Sequence, residues 1–245
     1  MIAVFTDFGL EGPYSGQVRA VLVHEAPGVP VIDVFSDLPA FNVRAAAYLL
    51  PAYASRLPGE PVCLCVVDPG VGSARAPLVI RADGRWYVGP DNGLFSLVVR
   101  RATQVQAWRI DWEPRELSTS FHGRDLFAPV AARIARGQDF PSTVLERHEL
   151  MLPDWPDDLA EVVYLDRYGN AVTGLRAASI DRDTQFDVAG HRIGFARTFS
   201  ERPDGTPFWY ENANGLVEIA VNQGRADRRL QLDIGVALRP VAFMD

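Results

Sequence analysis

The sequence of 245 residues contains only two cysteines, no run of five basic residues and no apolar span of 18 residues. Because the net charge is -7 and the pI is near 5.1, nucleic acid is not predicted as the main partner. The lack of an apolar span or a leader peptide predicts a cytoplasmic protein without a membrane anchor. Cys63 and Cys65 alternate along one strand pattern and point to opposite faces, so we expect two buried free thiols, which suits a reducing compartment.

Hydrophobic residues make up 48% of the chain, which is enough for one large or two small domains with a sizeable core. The first part alternates strand and helix patterns, which is typical of parallel βαβ units. After a segment rich in Pro and Asp at 152–158, short β-segments follow, and alternating apolar residues over 230–238 predict one more strand. We therefore predict an α/β domain with a mostly parallel sheet over residues 1–152 and a smaller all-β barrel domain over 159–245.

An apolar run at 63–67 ends at Asp68 and turns through Pro69, Gly70 and Gly72 to Arg75. Such a run predicts a strand buried on both faces, with Asp68 at its carboxyl end. In open α/β sheets this edge holds the ligand crevice, so Asp68 and Arg75 could share a pocket. Asp-Pro-Gly is also common turn chemistry, and a simple loop salt bridge between the two residues stays open as the alternative.

Polar residues follow other predicted strands in the same way. Asp7 comes directly after the first strand, and Asp91 with Asn92 stands in a loop where either a turn or a functional role is possible. His122 lies in a polar segment, 118–125, just before a predicted helix. A helix N-terminus can hold an anion or a polarised water and can shift a nearby pKa. A lone loop histidine can equally be structural, and the residues by themselves leave both roles open.

Five short motifs, each weak alone, occur in one order along nearly the whole chain. They are Thr6-Asp7-Phe8-Gly9, Val67-Asp68-Pro69-Gly70-Val71-Gly72 with Arg75, Pro90-Asp91-Asn92-Gly93, Phe121-His122-Gly123-Arg124-Asp125 and Asp166-Arg167-Tyr168-Gly169-Asn170. In this order the chain resembles the S-adenosylmethionine hydroxide adenosyltransferases, also called S-adenosylmethionine hydrolases (adenosine-forming), which are related to the bacterial fluorinase and chlorinase. The resemblance implies hydrolysis of S-adenosylmethionine to adenosine and methionine, with neither metal nor cofactor.

The same resemblance implies an N-terminal α/β domain, a C-terminal β-barrel and a homotrimer whose active sites lie between one subunit's first domain and its neighbour's second. The implied catalytic set is Asp68, Arg75 and His122. The implied substrate contacts are Asp7 for the ribose hydroxyls, Phe41 against the nucleoside, Val71 and Phe121 in the pocket wall, Asp166 and Asn170 at the methionine end, and Asn214, Asn222 and Gly224 near the adenine.

The chain departs from the family pattern at Gly12, Ser36 and Gly174, and Gly174 cannot supply the side-chain amide expected there. In the halogenating relatives tyrosines stand in place of Asp68 and His122, so the resemblance predicts water rather than halide as the nucleophile. Three alternatives stay open: a halide-using transferase, a non-catalytic adenosine or S-adenosylmethionine binding protein, and a sheet protein whose loops serve only trimer contacts.

Overall fold

The structure is a computed structural model that describes residues 1–241; residues 242–245, the end of the predicted second domain, lie outside the described residues. Contacts divide the chain into two compact units, one covering Met1–Asp154 and one beginning at Trp155. The predicted boundaries at 152 and 159 lie on either side of this division. That each unit is a separate folding domain stays a prediction.

The first unit is built on one seven-stranded sheet with the order β2-β1-β3-β5-β4-β6-β7. Five of these strands run in the same direction, while β4 and β7 run against them, so the mostly parallel sheet is confirmed. The strands are β1 (Ile2–Thr6), β2 (Val31–Phe35), β3 (Val62–Val66), β4 (Pro77–Ala82), β5 (Arg85–Pro90), β6 (Val105–Ile110) and β7 (Ser142–Leu145).

Four α-helices accompany this sheet: α1 (Tyr14–Glu25), α2 (Val43–Ala54), α3 (Ser96–Arg101) and α4 (Ala128–Ala135). The side chain of Asn42 caps α2 by accepting a hydrogen bond from the Ala45 N–H at 3.0 Å, as its position before the helix predicts. Helix α4 is preceded by a π-helical turn, Gly123–Phe127, with His122 at its N-cap. No helix within residues 1–241 has the length and apolar character needed to cross a membrane.

Strands β1 and β3 are buried along their whole length, because every residue in them is apolar or small and both faces are covered. They are parallel neighbours in register, with Thr6 opposite Val66. Their carboxyl ends therefore meet at one edge of the sheet. The chain leaves that edge through Asp7 and Asp68, which brings the two carboxylates of the sequence pattern to the same place.

The second unit is all-β apart from short helical turns and the four-residue helix α5 (Ala226–Arg229). Its strands form two antiparallel sheets, β11-β10-β14 and β12-β13-β9-β8. Isolated bridges, Glu161 to Ala237 and Phe195 to Trp209, join the two sheets at both sides, so the predicted barrel is confirmed. The strands are β8 (Leu159–Leu165), β9 (Ala171–Arg176), β10 (Phe186–Val188), β11 (His191–Ile193), β12 (Pro207–Glu211), β13 (Leu216–Val221) and β14 (Leu238–Pro240).

The strand predicted over residues 230–238 is wrong. Leu230 instead ends helix α5, and only the last residue of the segment belongs to β14. Gln231 and Gly235 have positive φ angles of 53° and 91°, which an extended strand cannot contain. Leu230 and Leu232 are nevertheless buried in the core of this unit, so the apolar alternation reflects burial without strand pairing.

Candidate active site

A cleft of about 600 Å³ opens in the first unit at the carboxyl edge of β1 and β3, within the size range of small-molecule sites. It is lined by six of the predicted site residues: Asp7, Phe41, Asp68, Val71, Phe121 and His122. The other lining residues are Phe8, Tyr14, Gln17, Ala40, Val66, Ser118, Ser120, Gly123 and Arg124.

Asp68 is held in this wall by the turn that follows β3. The Val71 N–H donates to the Asp68 carbonyl at 3.2 Å, and Gly72 has a φ of +79°. A Cβ atom at Gly72 would lie 2.5 Å from the Thr119 carbonyl oxygen, so only glycine allows this approach. From behind, the Asn92 side chain donates to the Val67 carbonyl at 2.9 Å. The loop that supports Asp68 is therefore fixed on two sides.

Arg75 forms an ion pair with Asp68. Its Nε lies 3.1 and 3.0 Å from the two Asp68 carboxylate oxygens, and its Nη2 lies 2.5 Å from Oδ2. The two side chains are only 9% and 5% exposed. The guanidinium also lies 5.2 Å from the centre of the Phe127 ring, and Arg75 does not line the cleft. It stands behind the wall and contacts the cleft only through its neighbours.

His122 receives the remaining contact from this guanidinium, at 2.8 Å between Arg75 Nη2 and His122 Nδ1. Since arginine only donates hydrogen bonds, Nδ1 must be the unprotonated acceptor, and the neutral ring carries its hydrogen on Nε2. Burial and the charge of Arg75 lower the pKa of His122, while Asp68 and Asp125 oppose this shift. The imidazole is thus neutral at pH 7, with an N–H on the side opposite Arg75.

Gly123 and the two residues after it shape the turn that carries His122. A Cβ at Gly123 would lie 2.9 Å from the Phe8 ring, so the aromatic packing requires glycine here. Arg124 and Asp125 form a bidentate pair at 2.5 and 3.0 Å, and Asp125 also accepts from the Ser118 N–H at 3.0 Å. Phe8, Tyr14 and Phe121 pack edge to face or tilted beside this turn, with ring centres 5.5–6.5 Å apart.

Asp7 and Phe41 meet at another part of the cleft. The Phe41 N–H donates to Asp7 Oδ2 at 3.0 Å, and burial raises the pKa of Asp7. Phe41 has a φ of 61°, which is strained for an aromatic residue, and its side chain is 77% exposed. A strained backbone that holds an exposed aromatic ring at a cleft is typical of a ligand contact.

A second cleft of about 580 Å³ lies in the barrel unit. Asp166 and Asn170 line it together: the Asn170 backbone and side-chain N–H groups donate to the two Asp166 oxygens at 2.8 and 3.1 Å. Gly224 lines it as well, and the remaining residues are Tyr168, Phe199, Tyr210, Glu218, Val221 and Gln223.

Asn214 and Asn222 do not line this second cleft. The Asn222 amide donates to the Arg202 carbonyl at 2.7 Å and to Asp204 at 3.1 Å, so it stabilises a turn. The Asn214 N–H donates to the Asn212 side chain. The predicted adenine contacts of Asn214, Asn222 and Gly224 stay predictions.

Two cleft residues, Gln17 and Glu218, were not predicted from the sequence. Gln17 reaches the first cleft from helix α1, whose pattern marks only its apolar face. In the second cleft, Glu218 is 5% exposed within the otherwise apolar strand β13, where burial raises its pKa. Tyr210 and Asn212 donate to its two oxygens. A lone carboxylate in an apolar strand pattern is the signal that could have identified it.

Asp91 and Asn92, for which the sequence left two roles open, do not line the first cleft. Asp91 accepts from the Met151 N–H at 3.0 Å, and Asn92 supports the Val67 carbonyl. Both have structural roles in this unit. Cys63 and Cys65 are free and buried. Within residues 1–241, no three His, Cys, Asp or Glu side chains are grouped so that they could hold a metal ion.

Comparison with known proteins gives matches along nearly the whole chain. Residues 2–143 match the SAM hydroxide adenosyltransferase N-terminal domain, and residues 160–239 match the C-terminal domain of the same family. An (R)-S-adenosyl-L-methionine hydrolase from Thermus thermophilus is 42% identical, with 96% of each chain covered. A fluorinase from Nocardia brasiliensis is more distant, at 19% identity over 98% of this chain. The crystal structure of an uncharacterized conserved protein from Thermotoga maritima superposes with a TM-score of 0.89 at 28% identity, covering 99% of this chain and all of that one.

Proposed function

Because the chain belongs to the SAM hydroxide adenosyltransferase family, we propose that it hydrolyses S-adenosylmethionine to adenosine and methionine. The observation that supports this most directly is the hydrogen-bonded series Asp68, Arg75 and His122, with Asp68 and His122 in the cleft wall. The curated relative is named for the R configuration at sulfur, so we extend the proposal to that epimer of the substrate.

In this reaction a water oxygen attacks the ribose C5′ from the side opposite the sulfonium. The new C–O bond forms as the C–S bond breaks, and methionine leaves as a neutral thioether that needs no acid. One proton is released from the attacking water. The protein must therefore orient one water and accept one proton, and orientation alone can contribute about 7–11 kcal/mol.

The hydrogen-bond directions at Asp68 and His122 support a division of these two tasks. His122 Nδ1 is already an acceptor for Arg75, so the ring offers an Nε2–H that can donate to the water oxygen. Asp68 is a carboxylate in the same wall and can only accept, which makes it the base that receives the water proton. His122 holds the water and Asp68 activates it.

Arg75 acts through these two residues, since it does not line the cleft. Its three short contacts keep the Asp68 carboxylate in one orientation, and its fourth contact fixes the His122 tautomer. We therefore describe Arg75 as a positioning residue, in contrast to the direct role that the resemblance implies.

For the substrate, we propose that Asp7 accepts hydrogen bonds from the ribose hydroxyls and that Phe41, Val71 and Phe121 pack against the nucleoside. All four residues line the first cleft. Attack on a sulfonium by an anionic oxygen cancels charge in the transition state, so an apolar wall closed to bulk water favours it.

We also propose a homotrimer in which Asp166 and Asn170 of one subunit complete the pocket of a neighbouring subunit at the methionine end. The exposed aromatic side chains at the two clefts, Phe41 at 77% and Tyr168 at 76%, are consistent with surfaces that become covered on assembly. A cytoplasmic location is part of the same proposal, because both buried cysteines are free thiols.

The direct test is incubation with each sulfur epimer of S-adenosylmethionine, followed by chromatography for adenosine and methionine. We expect adenosine and methionine in equal amounts from the R epimer. Binding of substrate without adenosine would identify a binding protein instead, and neither binding nor turnover would favour a structural role.

A further inference from the structure

The carboxylate of Asp125 is not used by the proposed chemistry, yet it lies at the centre of the loops that hold the catalytic residues. Its Oδ2 accepts from the Ser118 N–H at 3.0 Å and from Arg124 Nη2 at 3.0 Å, while Oδ1 accepts from Arg124 Nε at 2.5 Å. The Asp125 side chain is 14% exposed. Three charge-assisted contacts therefore converge on one partly buried carboxylate, and hydrogen bonds to a charged group are stronger than those between neutral groups.

The two partners of Asp125, Ser118 and Arg124, both line the cleft. Arg124 lies with its guanidinium 5.0 Å from the Phe121 ring centre and reaches Gln17 at 3.3 Å. Ser118 and Phe121 begin and end the segment 118–121, three of whose members line the cleft. One carboxylate thus fixes both ends of this segment, one directly and the other through Arg124.

The same segment also fixes the loop that carries Asp68 and Arg75. The Thr119 carbonyl lies so close to Gly72 that a Cβ there would be 2.5 Å from its oxygen. His122 follows the segment directly, at the start of the π-helical turn that contains Asp125. Turns of this kind inside helices are frequent at functional sites. Segment 118–121 is therefore packed between the loop of Asp68 and the turn of His122.

From these contacts we propose that Asp125 is a positioning residue, which holds segment 118–121 in place and thereby sets the contact between Arg75 and His122. The proposal rests on the proposed function, because hydrolysis is one of its readouts. It adds a residue that acts on the catalytic pair without touching the water. The charge of Asp125 also acts on His122 directly and opposes the lowering of its pKa by burial and Arg75, with Asp68 acting in the same direction as Asp125.

The test compares Asp125→Asn with Asp125→Ala. We expect kcat to fall by about tenfold to a hundredfold in the alanine variant, which loses all three contacts, and by less in the asparagine variant, which keeps an acceptor for Ser118. In both variants the acid limb of kcat/KM moves to lower pH, because the carboxylate that favours protonated His122 is gone. Asp125→Glu, which restores the charge, returns the limb toward that of the unsubstituted protein.

Asp111→Asn is the matched control, since Asp111 also pairs with an arginine and a threonine of the first unit but lies outside the cleft. We expect Asp111→Asn to leave both kcat and the acid limb of kcat/KM unchanged. NMR titration of the His122 ring protons measures the same lowering of the His122 pKa without turnover. It therefore tests the role of Asp125 even if the chain shows no hydrolysis. Unchanged titration of His122 in Asp125→Asn would overturn the proposal, and so would unchanged kcat in Asp125→Ala. If Asp125→Ala fails to fold, the ring-nitrogen chemical shifts of His122 in the nearly isosteric Asp125→Asn decide, because they report whether Nδ1 still accepts from Arg75, which loss of the charge alone would not change.

Discussion

Replacing Arg75 by methionine tests two roles of this residue, stabilisation of the fold and positioning of Asp68 and His122. The substitution leaves the Asp68 carboxylate, 5% exposed, without its three guanidinium contacts. Stranding one partner of a buried ion pair costs about 3–5 kcal/mol. In a unit of this size each kcal/mol lowers Tm by about 2–4 °C, so we expect a loss of about 6–20 °C.

The same variant loses activity for a different reason. Without Arg75, the Asp68 carboxylate can rotate and the His122 ring is free to change its tautomer, so the water loses its fixed donor and acceptor. Removal of one preorganised group from a catalytic site costs about 100-fold to 1,000-fold in kcat, and we expect Arg75→Met to fall in this range. KM should change little, because Arg75 does not line the cleft.

The double variant Asp68→Asn with Arg75→Met is the decisive comparison. It contains no uncompensated charge, so much of the Tm lost in each single variant should return. Activity should not return, because the double variant has no base. Arg197→Met is the control: it breaks an exposed arginine–carboxylate pair in the barrel unit, at 75% and 35% exposure, and should change neither property.

Calorimetry and adenosine release measure the two effects on the same samples. Additive Tm losses in the double variant would show that the pair is not coupled as the contacts indicate. Activity of Arg75→Met within tenfold of the unsubstituted protein would refute its positioning role, and recovery of activity in the double variant would exclude Asp68 as the base.

Three further predictions concern pH, nucleophile and assembly. The acid limb of kcat/KM should lie below pH 6.5, because burial and Arg75 lower the pKa of His122 and the neutral ring persists to lower pH. An acid limb above pH 6.5 would contradict the assigned tautomer. In excess chloride or fluoride and oxygen-18 water, labelled adenosine should be the product, since an anion about 4 Å from ionised Asp68 is opposed by about 4 kcal/mol at an effective dielectric of about 20. A 5′-halogenated nucleoside as the main product would reverse this assignment. Light scattering should give three times the chain mass of 27.0 kDa, and a fully active monomer would exclude the proposed trimer.

The sequence predicted those parts of the fold where local chemistry and tertiary packing agree. Strands Val31–Phe35, Val105–Ile110 and Leu216–Val221 coincide with runs of the sequence that turn residues delimit on both sides, so a local pattern is sufficient to predict them. The edge strand Ser142–Leu145 was missed, since three of its four residues are exposed and its pairing with β6 leaves no apolar pattern. Apolar spacing before α4 predicted a helix, but could not reveal the wider π-helical turn at its start.

For the candidate site, strand-end reasoning brought Asp7 and Asp68 to one edge, because adjacent parallel strands end together. It could not find the contacts of His122, which is 54 residues after Asp68 in the sequence and reaches it only through the packing of segment 118–121 against Gly72. Glu218 was not predicted for a related reason. Its buried carboxylate accepts hydrogen bonds from Tyr210 and Asn212 of the preceding strand and turn, and a local sequence pattern does not show which strands pair.

The two interpretations that the sequence left open for Asp68 and Arg75 are combined in the structure. The residues do form a loop salt bridge, and Asp68 alone of the two lines the cleft. A buried ion pair adds little net stability compared with apolar residues of similar size, so stability does not explain its presence. The contact between Arg75 and His122 explains the presence of the ion pair, because Arg75 can hold His122 Nδ1 only while Asp68 keeps the guanidinium in place. The salt bridge is therefore the part of the site that turns a carboxylate and a neutral imidazole into a matched acceptor and donor for one water.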